Sequence, residues 1–205
     1  MEKLWKVLGV TKGVTAVIGS GGKTSLLYEL AEELRPYGTV LLATTTHIMR
    51  PDWCPFAATA AELRAGFTHS PVVCAGSYTP VGKLTAPDFP GWQYAADFVL
   101  VEADGSKRLP AKAHAAWEPV LPPERNRTVC VFGASALGQP IQDAAHRPEL
   151  YASLAEVSPE AVITPAIAAR VLAKEGGFDV LFINQADVLE DPAAALQPFA
   201  DTLPC

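Results

Sequence analysis

The residues of this chain best equipped for chemistry begin at Gly19-Ser20-Gly21-Gly22-Lys23-Thr24-Ser25. Closely spaced glycines let successive backbone N–H groups turn toward one point, Lys23 brings a positive charge there, and Thr24 offers a hydroxyl. That combination suits the outer phosphates of a nucleotide, with Mg²⁺ held in part by Thr24. A helix starting near Thr24 would aim the positive end of its dipole at the same anion. The full loop pattern G-x-x-x-x-G-K-S/T puts its first glycine where this chain has Val17. The loop is therefore a shortened variant.

A second run, Asp97 to Gly105, is apolar from Phe98 to Val101 and ends in Glu102-Ala103-Asp104-Gly105. Strand alternation puts Glu102 and Asp104 on one side, where a carboxylate can hold Mg²⁺ or orient an attacking water. Thr44-Thr45-Thr46-His47 empties from another strand-like run, and Thr45 is a further candidate metal contact there. The last run is Asn184-Gln185-Ala186-Asp187, which resembles the N-K-x-D base-reading turn of GTPases with Gln185 in place of the lysine. Asn184 and Asp187 would read a base; the competing reading is a turn that caps a helix near Pro192.

The elements that must position these residues follow from periodicity. Val14 to Ile18, Thr39 to Ala43, Val72 to Ala75, Thr128 to Gly133 and Asp179 to Asn184 are short apolar runs of strand type. Leu26, Leu27, Leu30 and Leu34 mark an amphipathic helix that Pro36-Tyr37-Gly38 ends. Strand, helix, strand implies a parallel pair. Thr59 is placed to cap a short helix through Ala65, another helix follows Pro148, and Thr164 caps one over Pro165–Lys174. Met49 to Phe56 reads as a loop, and Gly76 to Gly91 as a hairpin or an ordered lid. Trp117 to Pro123 reads as a linker. Lys107, Arg108 and Lys112 are either solvated charges or a mobile clamp on phosphate. Arg147 is a phosphate or interface contact, or a salt bridge at the start of a helix.

With 205 residues, 49% of them hydrophobic, the chain can bury one substantial core, which predicts a single domain over 1–205. A net charge of −6 with 16 Lys and Arg argues against a nucleic-acid or anionic-membrane partner. The residues after Met1 lack a signal-peptide core, and no apolar run is long enough to span a bilayer, which predicts the cytoplasm. Cys54, Cys74, Cys130 and Cys205 are scattered without C-x-x-C spacing, so neither a disulfide framework nor a zinc knuckle is expected. His47, Cys54 and His69 are an irregular candidate set for a metal or a chalcogen.

Taken in order, these runs carry two resemblances. Glu102 to Gly105 is similar to the E-x-x-G strand end of metallochaperone GTPases serving nickel and cobalamin enzymes. Together with Gly19–Ser25, Thr44–His47, Val101–Lys107, Glu118-Pro119, His146–Glu149 and Asn184–Asp187, the chain more closely resembles the selenium-dependent molybdenum hydroxylase accessory proteins of the YqeC type. That resemblance implies a P-loop protein acting in maturation of such enzymes, with a molybdenum hydroxylase or its cofactor-maturation proteins as partner. The expected fold is a three-layer α/β P-loop NTPase-like domain with a mostly parallel central sheet. The expected activity is slow, Mg²⁺-dependent hydrolysis of ATP or GTP, with Lys23, Glu102 and Asp104 catalytic and Thr24, Thr45 and Glu102 at the metal. The short loop also resembles that of ATP-dependent Mur-type ligases. A nucleotide-gated binding module is the non-enzymatic alternative.

Overall fold

The computed structural model describes residues 2–203; Met1, Pro204 and Cys205 lie outside the described residues. In chain order the first elements are α1 (Leu4–Val7), β1 (Gly13–Gly19), α2 (Lys23–Leu34), β2 (Val40–Thr44), β3 (Phe56–Ala57) and α3 (Ala60–Phe67). Then come β4 (Val72–Ala75), β5 (Ser77–Tyr78), β6 (Leu84–Thr85), β7 (Phe98–Glu102), β8 (Ala111–Lys112) and β9 (Arg125–Gly133). The last are α4 (Ile141–Ala144), β10 (Ala145–His146), α5 (Pro148–Ala155), α6 (Pro165–Glu175), β11 (Val180–Asn184) and α7 (Pro192–Thr202). The fold is a three-layer α/β arrangement with a largely parallel central sheet, as the alternation of strand and helix patterns predicts.

Two compact units divide the chain. The first holds the residues up to Ile18 with Lys23–Gly105 and Pro119–Val129, and the second holds Gly19–Gly22, Ser106–Glu118 and the residues from Cys130 on.

In the first unit the strand order is β1-β7-β2-β4-β3, with each neighbouring pair parallel. β7 lies between β1 and β2, with Glu102 in register with Val17 on one side and Thr44 on the other. Val14, Leu41, Val73, Val99 and Val101 share one face with Leu63 of α3 and with Trp92. Alternation sends their neighbours to the opposite face, where α2 packs on β7 and β2 through its buried leucines. Each such leucine contributes about 1.5–3 kcal/mol by leaving water. Thr59 caps α3 in a reciprocal box with Glu62. Within Gly76–Gly91, β5 and β6 form an antiparallel hairpin, which is the first of the two expectations for that stretch.

In the second unit β11 lies beside β9, and β8 pairs in parallel with β10. Helices α5, α6 and α7 pack in sequence, and Phe132 of β9 meets Phe199 of α7 with ring centres 5.5 Å apart. Thr164 caps α6 by accepting from the N–H of Ile167. Asp191, rather than the Asn184–Asp187 turn, caps α7 through Ala194. Cys74 and Cys130 are buried in strands, as their apolar surroundings predict.

Candidate functional site

Lys23 is the first residue of α2, so the glycine loop delivers it directly onto a helix N-terminus. Its ammonium lies 2.9 Å from Asp104 Oδ1 and 4.0 Å from Glu102 Oε1. Thr24 Oγ1 donates to Glu102 Oε2 at 2.9 Å. The two carboxylates face the same side because the strand geometry continues past β7, with Ala103 N–H donating to Val17 O at 3.0 Å. Lys23 and Asp104 are almost wholly buried, whereas Thr24 and Ser25 are exposed. The result is a set of hard oxygens and one cation at the C-terminal edge of parallel strands, where open α/β sheets bind ligands.

The threonine run supports this edge. Thr44 Oγ1 donates to the carbonyl of Glu102 at 2.8 Å, and Thr45 N–H donates to that same carbonyl at 3.1 Å. Thr45 Oγ1 donates to Val120 O at 2.6 Å, so its proton is committed and only its lone pairs remain for a ligand.

Tyr28 sits one helical turn beyond Thr24 on the same face of α2. Burial, then the neighbouring Cys74, Cys54 and Glu102, push its phenol up to about 12, which keeps it protonated. Nothing in its spacing distinguishes it from the amphipathic pattern of the helix.

In the second unit the glycine loop is tied at several points. Ser20 N–H donates to Val131 O at 2.8 Å, and the Ser20 hydroxyl donates to the carbonyl of Leu109. Gly21 and Gly22 take φ of +87° and +121°. A Cβ on Gly21 would run into the backbone of Gly133, and one on Gly22 into the Asn184 amide. That amide donates to Gly21 O at 2.8 Å. Gln185, at φ 61°, accepts from Ser135 Oγ at 2.7 Å, and Asp187 is exposed in the short turn that follows.

Some expected groupings do not form. Lys112 is neither solvated nor a mobile clamp: it is buried in β8 and its ammonium donates to Glu118 Oε2 at 2.8 Å. Lys107 and Arg108 are exposed. Arg147 makes the salt bridge at the start of α5, to Glu118 at 2.6 Å. Burial opposes it, but the hydrogen bonds from Arg147 and Lys112 hold the Glu118 carboxyl below its usual range. Among the described residues, His47, Cys54 and His69 form no metal-holding group, nor do any other three His, Cys, Asp or Glu side chains. His47 and His69 are exposed while Cys54 is buried. Among the described residues, no helix is long and apolar enough to cross a membrane.

A parallel α/β sheet whose first strand breaks into a glycine loop, with Lys23 and Thr24 opening the next helix, defines a P-loop-like protein. The chain belongs to the YqeC family, whose model, described as "YqeC protein", matches residues 15–149. It is similar to the Escherichia coli (strain K12) protein named "Uncharacterized protein YqeC", with 33% identity over 209 residues, spanning 90% of this chain and 82% of that relative. The family match includes the loop, the end of β7 and the Glu118 and Arg147 positions; Asn184 to Asp187 fall beyond it. No solved structure matches the chain.

Proposed function

We propose that the protein binds a nucleoside triphosphate with Mg²⁺ and hydrolyses it slowly, as an accessory factor in maturation of selenium-dependent molybdenum hydroxylases. The observation that carries the nucleotide reading is the meeting of Lys23, Thr24, Glu102 and Asp104 at one sheet edge. The maturation role rests on family membership and on the motif resemblance. Thr24 Oγ1 and Glu102 form an all-oxygen donor pair, which fits Mg²⁺, a metal that keeps several waters and takes few protein ligands. When bound, Mg²⁺ would neutralise charge on the β- and γ-phosphate oxygens. Lys23 would stabilise charge building on the transferring phosphoryl group. Asp104 or Glu102 would accept a hydrogen bond from the attacking water, and the lone pairs of Thr45 would serve the water shell. Asn184 would steady the loop while Asp187 reads the base.

The test is competition of ATP, GTP and CTP for the purified protein with Mg²⁺, repeated with Lys23→Ala and Asp187→Asn. The reading predicts that Lys23→Ala loses nucleotide and Asp187→Asn changes the preference among bases. Undiminished binding by Lys23→Ala would sink it. One observation favours a second reading: Val17 is a wholly buried strand residue in register with Glu102, so the loop is short in the manner of Mur-type ligases. Phosphate release that requires an added carboxylate and amine would select that reading.

A further inference from the structure

Glu118 and the pair His146-Arg147 take no part in the nucleotide reading, yet the second unit brings them together. β8 and β10 place His146 opposite Lys112, and Ala113 N–H donates to His146 O at 3.1 Å. One oxygen, Glu118 Oε2, accepts from both Lys112 Nζ at 2.8 Å and Arg147 Nη1 at 2.6 Å. Arg147 Nη1 also donates to Ala113 O at 3.3 Å. All the protein bonds of this guanidinium thus fall on one nitrogen. Among the described residues, Nε and Nη2 of Arg147 have no acceptor, and neither do the ring N–H groups of His146 and Trp117.

The residue type at position 147 has no local explanation. Arg147 precedes α5 at φ 63° and makes no side-chain cap. Glycine or asparagine would adopt that backbone at less cost, and serine or aspartate would cap the helix. An arginine there is accounted for by what its guanidinium reaches. The unused Nε and Nη2 edge is the planar fork that grips a carboxylate or phosphate through two parallel bonds.

The surroundings favour an anion carried on a ring. The Arg147 guanidinium stands 5.9 Å from the centre of the Trp117 ring, and Trp117 is 74% exposed, which presents an indole face beside the fork. Burial, then the charges of Arg147, Lys112 and Lys107, hold His146 below its ordinary value, with Glu118 acting in the opposite sense. The potential at His146 is therefore positive on balance. We propose that Arg147, His146 and Trp117 form a second binding site, for an oxyanion attached to a flat conjugated ring, as in an aromatic carboxylate or an aryl phosphate. Arg147 holds the oxyanion through Nε and Nη2, His146 donates a further hydrogen bond, and the ring lies on Trp117. The inference is independent of the nucleotide reading.

Calorimetry with benzoate, phenyl phosphate and inorganic phosphate tests it on the full chain and on Trp117→Ala, Arg147→Lys and Lys23→Ala. The expected result is millimolar or tighter binding of benzoate or phenyl phosphate, unchanged in Lys23→Ala. Trp117→Ala should weaken the aromatic probe about 3- to 10-fold, the worth of one ring contact, and leave inorganic phosphate as it was. Arg147→Lys should weaken the aromatic probe about 10-fold or more, since a point charge cannot make both bonds. Binding of benzoate alone assigns a carboxylate, and of phenyl phosphate alone a phosphate ester. Because Arg147 also bonds Glu118, the exposed Trp117 carries the test if Arg147→Lys does not fold. The proposal is overturned if neither aromatic probe binds. It is equally overturned if Trp117→Ala retains the aromatic probe in full, or if Lys23→Ala, shown by circular dichroism to be folded, abolishes binding.

Discussion

Lys23 Nζ lies 2.9 Å from Asp104 Oδ1, with 3% of the lysine side chain and none of the aspartate side chain exposed. Glu102 Oε1 stands 4.0 Å from the same ammonium, so one cation serves two carboxylates. A phosphate bound by Lys23 would compete with Asp104 for it, which ties ligand affinity to the stability of this edge of the sheet.

Removing the cation should therefore cost stability as well as binding. Lys23→Ala is expected to destabilise the fold by on the order of 3 kcal/mol, because a buried carboxylate loses its close positive partner. Urea unfolding measures this, and the double variant Lys23→Ala/Asp104→Asn should recover part of the loss. If the double variant is less stable than Lys23→Ala, the pair is not coupled in the way its geometry implies.

The Asn184 hydrogen bond to Gly21 O, 2.8 Å long, predicts that this side chain fixes the loop. Asn184→Ala should cost about 1 kcal/mol and speed amide exchange at Gly21 and Gly22. Gly21→Ala should be worse, above about 2 kcal/mol, since a positive φ and a backbone collision with Gly133 act together. Equal midpoints for Gly21→Ala and the parent in thermal melts would contradict the loop's close packing.

Acid stability should depend on Asp97. A hydrogen bond from Lys12, with two more from the N–H and hydroxyl of Thr39, lowers its carboxyl to about 2 from an ordinary 3.8. A carboxyl depressed in the folded state stabilises that state above its unfolded value, and the benefit is lost as pH falls from about 4 toward 2. Comparing parent and Asp97→Asn by unfolding at a series of pH values should show the gap between them closing across that window. A gap that stays constant from neutral pH to about pH 2 would assign the difference to geometry and not to charge.

The capping box at Thr59 and Glu62 offers a check remote from the candidate site. Thr59→Ala should lower stability by about 1 kcal/mol and leave nucleotide affinity unchanged. Loss of affinity in this variant would mean that α3 is coupled to the loop.

The elements that carry the candidate site were legible because each is a local pattern. The apolar runs of β1, β2, β7 and β11, the leucine stripe of α2, and the caps at Thr59 and Thr164 all act over a few residues. Alternation along β7 was enough to put Glu102 and Asp104 on one side. The two-residue strands β3, β8 and β10, and the single turn of α1, are too short for any periodicity to mark them.

What a charged residue does depends on which distant group meets it. Read in sequence, Lys112 is a solvated charge or a mobile clamp, Arg147 a phosphate or interface contact or a salt bridge at a helix start, and Glu118 part of a linker; folded, both cations meet one Glu118 oxygen. Tyr28 carries no signal of its own in the sequence; packing brings it near Cys74, Cys54 and Glu102. The amino-acid order by itself determined the loop, the strand ends and their shared side, because backbone periodicity is local. Only the tertiary structure decided which charges are buried and with whom, because burial and pairing join residues far apart along the chain.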